Sequence, residues 1–170
     1  MSAHILIAGV GNIFLGDDGF GVEVAQKLAG RPLPDGVIVA DIGVRTLHLA
    51  FALLDKPDLL VLVDIVDRGM PPGTLSLIEP RIAGGPTGLA DAHGMNLETV
   101  NAALASLGGE MPTTLLVGCQ PEFIGERMGL SPVVERAVPD ALVLIEKTIA
   151  RFMDSRPDAA AAANAAEETG

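Results

Sequence analysis

Three features of this chain predict an α/β domain, a doubly wound, mostly parallel twisted sheet of about five strands flanked by helices. An apolar run, Ile5 to Ala8, breaks into glycines at Gly9 and Gly11 and is followed by a helical pattern. A later stretch, 58–64, is apolar on both faces, as a central parallel strand must be. Between and beyond them strand and helix patterns alternate along the chain.

The first unit is a strand ending near Gly9, a glycine turn, and a helix over 18–28 with Val22, Val24, Ala25 and Leu28 on one side. Residues 36–41 read as a second strand, 46–54 as a short helix, and 58–64 as the third strand. The alternating 73–79 suits an edge or hairpin strand, and 81–95 is a glycine-rich loop. Asn96 can cap a helix running to about Leu107, with Glu98 favouring its positive end. Residues 112–118 form the last strong strand. Ser131-Pro132 then opens a helix to about Met153 with a hydroxyl cap and proline at its first position. Pro139 should kink that helix, because it removes one amide donor.

One domain over 1–153 is expected, since 170 residues suffice to bury a full core without staples. The segment 154–170 is low in complexity and acidic, and reads as a disordered tail. A single cysteine, Cys119, excludes an internal disulfide and reads as a core residue. With no leader pattern at the start and no apolar run of membrane-spanning length, a cytoplasmic protein away from membranes is expected. The net charge of −11, without any basic cluster, argues against nucleic acid. No exposed apolar stripe stands out, and a monomer is expected.

Gly9-x-Gly11 also begins a dinucleotide fingerprint, but the third glycine should fall where Phe14 stands. The adjacent carboxylates Asp17 and Asp18 would repel a pyrophosphate at that turn.

The strand ends carry the chemistry. Asp18 follows the first strand, Asp41 closes the second, Asp64 closes the third, and His93 lies in the loop before the Asn96 helix. A parallel sheet turns all its carboxyl ends to one edge, so these four can converge, and two carboxylates with one imidazole suit a divalent transition metal. Each also has a structural reading: strand-end aspartates often cap helices or turns, and Asp17 reads as the N-cap of the first helix.

Gly9-x-Gly11-Asn12 leading to Gly16-Asp17-Asp18-Gly19-x-Gly21-Val22, Leu62-Val63-Asp64, His93, Val117-Gly118-x-Gln120-Pro121-Glu122 and Gly129-Leu130-Ser131-Pro132 together resemble the hydrogenase maturation proteases. The resemblance runs from about Ile5 to Phe152. It implies a phosphorylase/hydrolase-like three-layer sandwich and an aspartic-type, metal-dependent, nickel-recognising endopeptidase. The implied activity removes the C-terminal extension of a nickel-iron hydrogenase large-subunit precursor after nickel insertion. The implied metal ligands are Asp18, Asp64 and His93, engaging nickel carried by the substrate, with zinc or cadmium able to occupy the site in isolation. Family members often have glutamate where this chain has Asp18, which reaches one methylene less far.

The residues permit attack by a metal-activated water with Asp18 or Asp17 as base, or an ion that only reads the substrate while acids such as Asp41 assist the water. A non-catalytic nickel-binding or chaperone module for the large subunit is the alternative.

Overall fold

The computed structural model describes residues 3–80 and 96–156. Five strands, β1 (Ile5–Val10), β2 (Val37–Gly43), β3 (Leu59–Ile65), β4 (Leu75–Ile78) and β5 (Thr113–Cys119), form one sheet in the order β2-β1-β3-β5-β4. Four helices, α1 (Phe20–Ala29), α2 (Thr46–Leu53), α3 (Leu97–Ser106) and α4 (Pro132–Asp154), cover it. The β1, β2, β3 and β5 strands pair in parallel, and β4 runs antiparallel on the edge of β5, as its alternating pattern predicts.

Strand alternation divides the core in two. Ile5, Ile7, Val61, Val63 and Val117 face α1 and α4, packing on Phe20, Val24, Leu28, Val138 and Ile145. Leu6, Ala8, Leu60, Leu62 and Leu116 face α2 and α3, packing on Leu49, Leu53, Val100 and Leu104. Both central strands, β1 and β3, are buried along their whole length, which explains why their sequences are apolar without interruption.

The chain leaves β1 to build β2 on one side, then returns to build β3 on the other. The reversal opens a crevice between the carboxyl ends of β1 and β3, where doubly wound sheets hold their ligands.

Local details differ from the sequence reading. Residues Gly16–Gly19 form a separate 3-10 turn and α1 begins at Phe20, so neither aspartate belongs to that helix. Helix α4 continues through Pro139 as one element of 23 residues. Pro139 and Glu135, whose carbonyl loses its usual donor, both lie on the exposed side, where water can take the vacant bond. Among the described residues no helix is long and apolar enough to cross a membrane.

Candidate active site

Two carboxylates meet at the switch point. Asp18 stands in the 3-10 turn after β1 and Asp64 near the end of β3, and both are buried. The Asn12 amide donates to Asp18 Oδ2 at 2.9 Å, and the Ile65 amide to Asp64 Oδ1 at 2.8 Å. Burial holds the Asp64 carboxyl well above the usual carboxylate range; repulsion from Asp18 pushes the same way, and the Ile65 amide only partly offsets them. Two buried acids close enough to repel each other form a donor set suited to a cation, which would relieve the repulsion and supply the missing solvation.

His93, the third expected ligand, lies outside the described residues. Among the described residues no third histidine, cysteine or carboxylate joins the two acids.

The glycines of the first motif create this geometry by close approach rather than by binding phosphate. A Cβ on Gly21 would lie 2.0 Å from the Val63 carbonyl oxygen and 2.4 Å from that of Val10, so only glycine lets α1 rest directly on β1 and β3. Gly11, at φ 127°, would carry a Cβ 1.9 Å from the Asp18 carbonyl oxygen. The turn can therefore fold back onto the backbone of the acid it presents.

Asp17 has a different role from its neighbour. Its carboxylate is fully buried and accepts four hydrogen bonds, from the amides of Glu122 (2.8 Å), Phe123 (2.9 Å) and Ser131 (2.6 Å) and from the Ser131 hydroxyl (2.9 Å). Burial alone would raise its pKa, but these donors outweigh burial and the net shift is downward. The expected N-cap role is thus replaced: Gly19 occupies the N-cap position of α1, and Asp17 ties the turn to the loop between β5 and α4. A carboxylate with a lowered pKa and both oxygens engaged is also a poor proton acceptor, which removes Asp17 as a general base. Ser131 does stand before Pro132 at the start of α4, but its hydroxyl goes to Asp17 instead of capping the helix.

Backbone bonds complete the junction. The Gly16 and Asp17 amides donate to the carbonyls of Arg127 (2.7 Å) and Phe123 (3.0 Å), and the Arg127 amide donates to Phe14 (3.1 Å). The Gly-Asp-Asp, Gln-Pro-Glu and Gly-Leu-Ser-Pro segments are thus parts of one interlocked unit.

The remaining candidates fall elsewhere. Asp41 pairs in register with Gly9, which itself pairs with Val63, so its side chain takes the α1 face, opposite to that of Asp64. It is exposed there and accepts a hydrogen bond from Gln26 Nε2 on α1 at 3.3 Å. Cys119 is buried and its thiol is pushed up to about 12, by burial first and by the Asp17 charge second, so it supplies no thiolate at neutral pH.

The sequence reading did not anticipate the part played by Gln120. Its side chain turns to the loop after β3, accepting from the Arg68 and Met70 amides at 2.8 and 3.2 Å and donating to Asp67 at 2.9 Å.

Residues 22–148 match the family model described as hydrogenase maturation protease. The chain belongs to this family. A hydrogenase 2 maturation protease of Escherichia coli is 33% identical over 159 residues, covering 92% of this chain and 94% of the relative. A putative hydrogenase maturation protease of Methanocaldococcus jannaschii is 36% identical over 149 residues, covering 83% of this chain and 93% of the relative. Among solved structures, the E. coli hydrogenase maturating endopeptidase HybD superposes with a TM-score of 0.73 at 28% identity, over 88% of this chain and 93% of its own. The maturation protease HycI of Thermococcus kodakarensis gives 0.68 at 27% identity, over 87% and 93%. This maturation protease is accordingly a peptide-bond hydrolase of hydrogenase maturation, and its five-stranded fold is that of HybD.

Proposed function

We propose that this maturation protease removes the C-terminal extension of a nickel-iron hydrogenase large-subunit precursor once nickel has been inserted, and that Asp18 and Asp64 engage the nickel held by that substrate. The observation that carries this reading is the buried, mutually repelling pair at the switch point, supported by the family membership. His93 is the third ligand in this reading. Nickel belongs to the substrate, and the protease contributes two carboxylate oxygens and an imidazole nitrogen toward it. Zinc or cadmium would occupy the same donors in the isolated protein.

Hydrolysis adds the oxygen of one water to the scissile carbonyl carbon and a proton to the departing amine. Neither the Cys119 thiol, held neutral in the core, nor the Ser131 hydroxyl, given to Asp17, offers a nucleophile, which favours direct attack by water. The ion, when bound, supplies polarisation of the water or the carbonyl.

The surroundings fit a protein substrate. Phe14 and Met128 are 60% and 66% exposed, and Ile13, Val44, Leu47, Met70 and Phe123 are also exposed. All seven stand on the segments that follow β1, β2, β3 and β5, at the end of the sheet that carries the acids. Apolar side chains gathered around a polar crevice mark a surface that meets another macromolecule.

The test is incubation of nickel-loaded precursor with the wild-type chain and with Asp18→Asn and Asp64→Asn, followed by intact mass. Wild type should release a C-terminal peptide, and each variant should lose about 100-fold or more in rate, as expected when a group acting in the transition state is neutralised. Equal processing by folded variants would remove both acids from the reaction.

A further inference from the structure

The two acids belong to separate elements, and a single short segment braces the supports of both. On one side, Asp17 binds the amides of Glu122 and Phe123, which anchors the turn carrying Asp18. On the other side, Gln120 gathers the chain just beyond Asp64: its Oε1 accepts from Arg68 and Met70, and its Nε2 donates to Asp67. The Val66 amide adds a bond to the Cys119 carbonyl at 2.9 Å. Between the two clasps stands only Pro121, whose ring fixes one of its backbone torsions. The support of Asp18 and the chain leaving Asp64 are therefore joined through three consecutive residues, Gln120-Pro121-Glu122.

We propose that Gln120 is a positioning residue that sets the separation of Asp18 and Asp64. The inference rests on the reading that these two acids engage the substrate's nickel. Gln120 is 7% exposed and none of its hydrogen bonds goes to either acid, so its effect must pass through the chain it holds. Its own backbone is fixed independently, with its amide donating to the Thr74 carbonyl at 2.9 Å and its carbonyl accepting from the Gly73 amide at 2.8 Å. A side-chain substitution therefore leaves the bonds that seat the residue beside β4 and frees only the loop after β3.

Two variants separate the parts of this role. Gln120→Leu removes both the acceptor and the donor. Gln120→Glu keeps an acceptor for Arg68 and Met70 but sets a carboxylate oxygen against Asp67, so it breaks the donor half of the clasp and leaves the acceptor half. Three quantities are measured well below each variant's melting temperature: affinity for Cd2+ alone by isothermal titration, and kcat and KM on nickel-loaded precursor. In Gln120→Leu, Cd2+ affinity and kcat should each fall about 10-fold, the scale seen when groups supporting metal ligands are removed, while KM stays within about twofold.

A residue that only stabilises the fold would lower Tm and leave the folded protein's Cd2+ affinity and kcat unchanged; that result overturns the proposal. Ser131→Ala, which removes one of the four bonds to Asp17, provides a milder disturbance of the opposite clasp should Gln120→Leu fail to fold. It should lower Cd2+ affinity about threefold, and unchanged affinity would likewise count against the brace. A wild type that neither binds Cd2+ nor cleaves the precursor overturns the proposed function and this inference with it. A wild type that does both beside Gln120 variants that do both equally well overturns this inference alone.

Discussion

The Asp17 carboxylate takes both the amide and the hydroxyl of Ser131, at 2.6 and 2.9 Å, across 114 residues of sequence. Two further amides complete its shell, so one buried charge closes the loop before α4 over the turn that carries Asp18. Hydrogen bonds to a charged group contribute about 1.5–3 kcal/mol each, and removing the acceptor strands the donors it served. Asp17→Asn should therefore cost about 3 kcal/mol or more, and Ser131→Ala about 1–2 kcal/mol, both measured by denaturant titration. A cost for Asp17→Asn below that of Ser131→Ala would contradict the geometry.

The same carboxylate sets part of the acid limit of stability. Its folded pKa lies below the ordinary value, so its contribution is complete above the unfolded pKa and is lost as pH falls through the folded one. Stability should decline below the usual carboxylate range, and Asp17→Asn should flatten that decline. Thermal melts of both proteins between pH 2 and 6 measure the difference.

Asp64 has the opposite sign. Burial and then the Asp18 charge raise its folded pKa, so the cost to stability grows as pH rises from the unfolded pKa to the folded one, is complete above the folded pKa, and is absent only below the unfolded one. Asp64→Asn can keep an acceptor for the Ile65 amide while removing the charge. At neutral pH and without metal, this variant should melt higher than wild type while losing processing. A lower Tm would mean that the acid pair is not under electrostatic strain.

Gly21 tests the reading of the first motif. The Cβ of an alanine there would meet two carbonyl oxygens at 2.0 and 2.4 Å, so α1 must move off β1 and β3. Gly21→Ala should cost about 3 kcal/mol or more, at or beyond the upper end for overpacking, because backbone rather than a flexible side chain blocks the site. An alanine accommodated within 1 kcal/mol in denaturant titration would refute the close approach.

How legible these features were depends on the range of the interactions behind them. The alternation of apolar strands and amphipathic helices predicted the sheet, because β1 and β3 announce their burial in every residue. Asp18 and Asp64 were readable as strand-end acids at one edge. Asp17 was not, since adjacency to a helix pattern suggested a local cap, whereas its partners lie 105 to 114 residues away and obey no period. Ser131 misled for the same reason: its Ser-Pro signal correctly marks the start of α4 but says nothing of where the hydroxyl points. Asp41 shared the edge with the other acids, yet its register places it on the other face.

The most direct measurement is the intact mass of purified large-subunit precursor, with and without nickel, after incubation with the wild-type protease. The account predicts a subunit shortened at its C-terminus in the nickel-loaded sample and an intact one in the nickel-free sample. A nickel-loaded precursor that keeps its full mass would contradict the assigned reaction, and cleavage regardless of nickel would contradict recognition of the metal by Asp18 and Asp64.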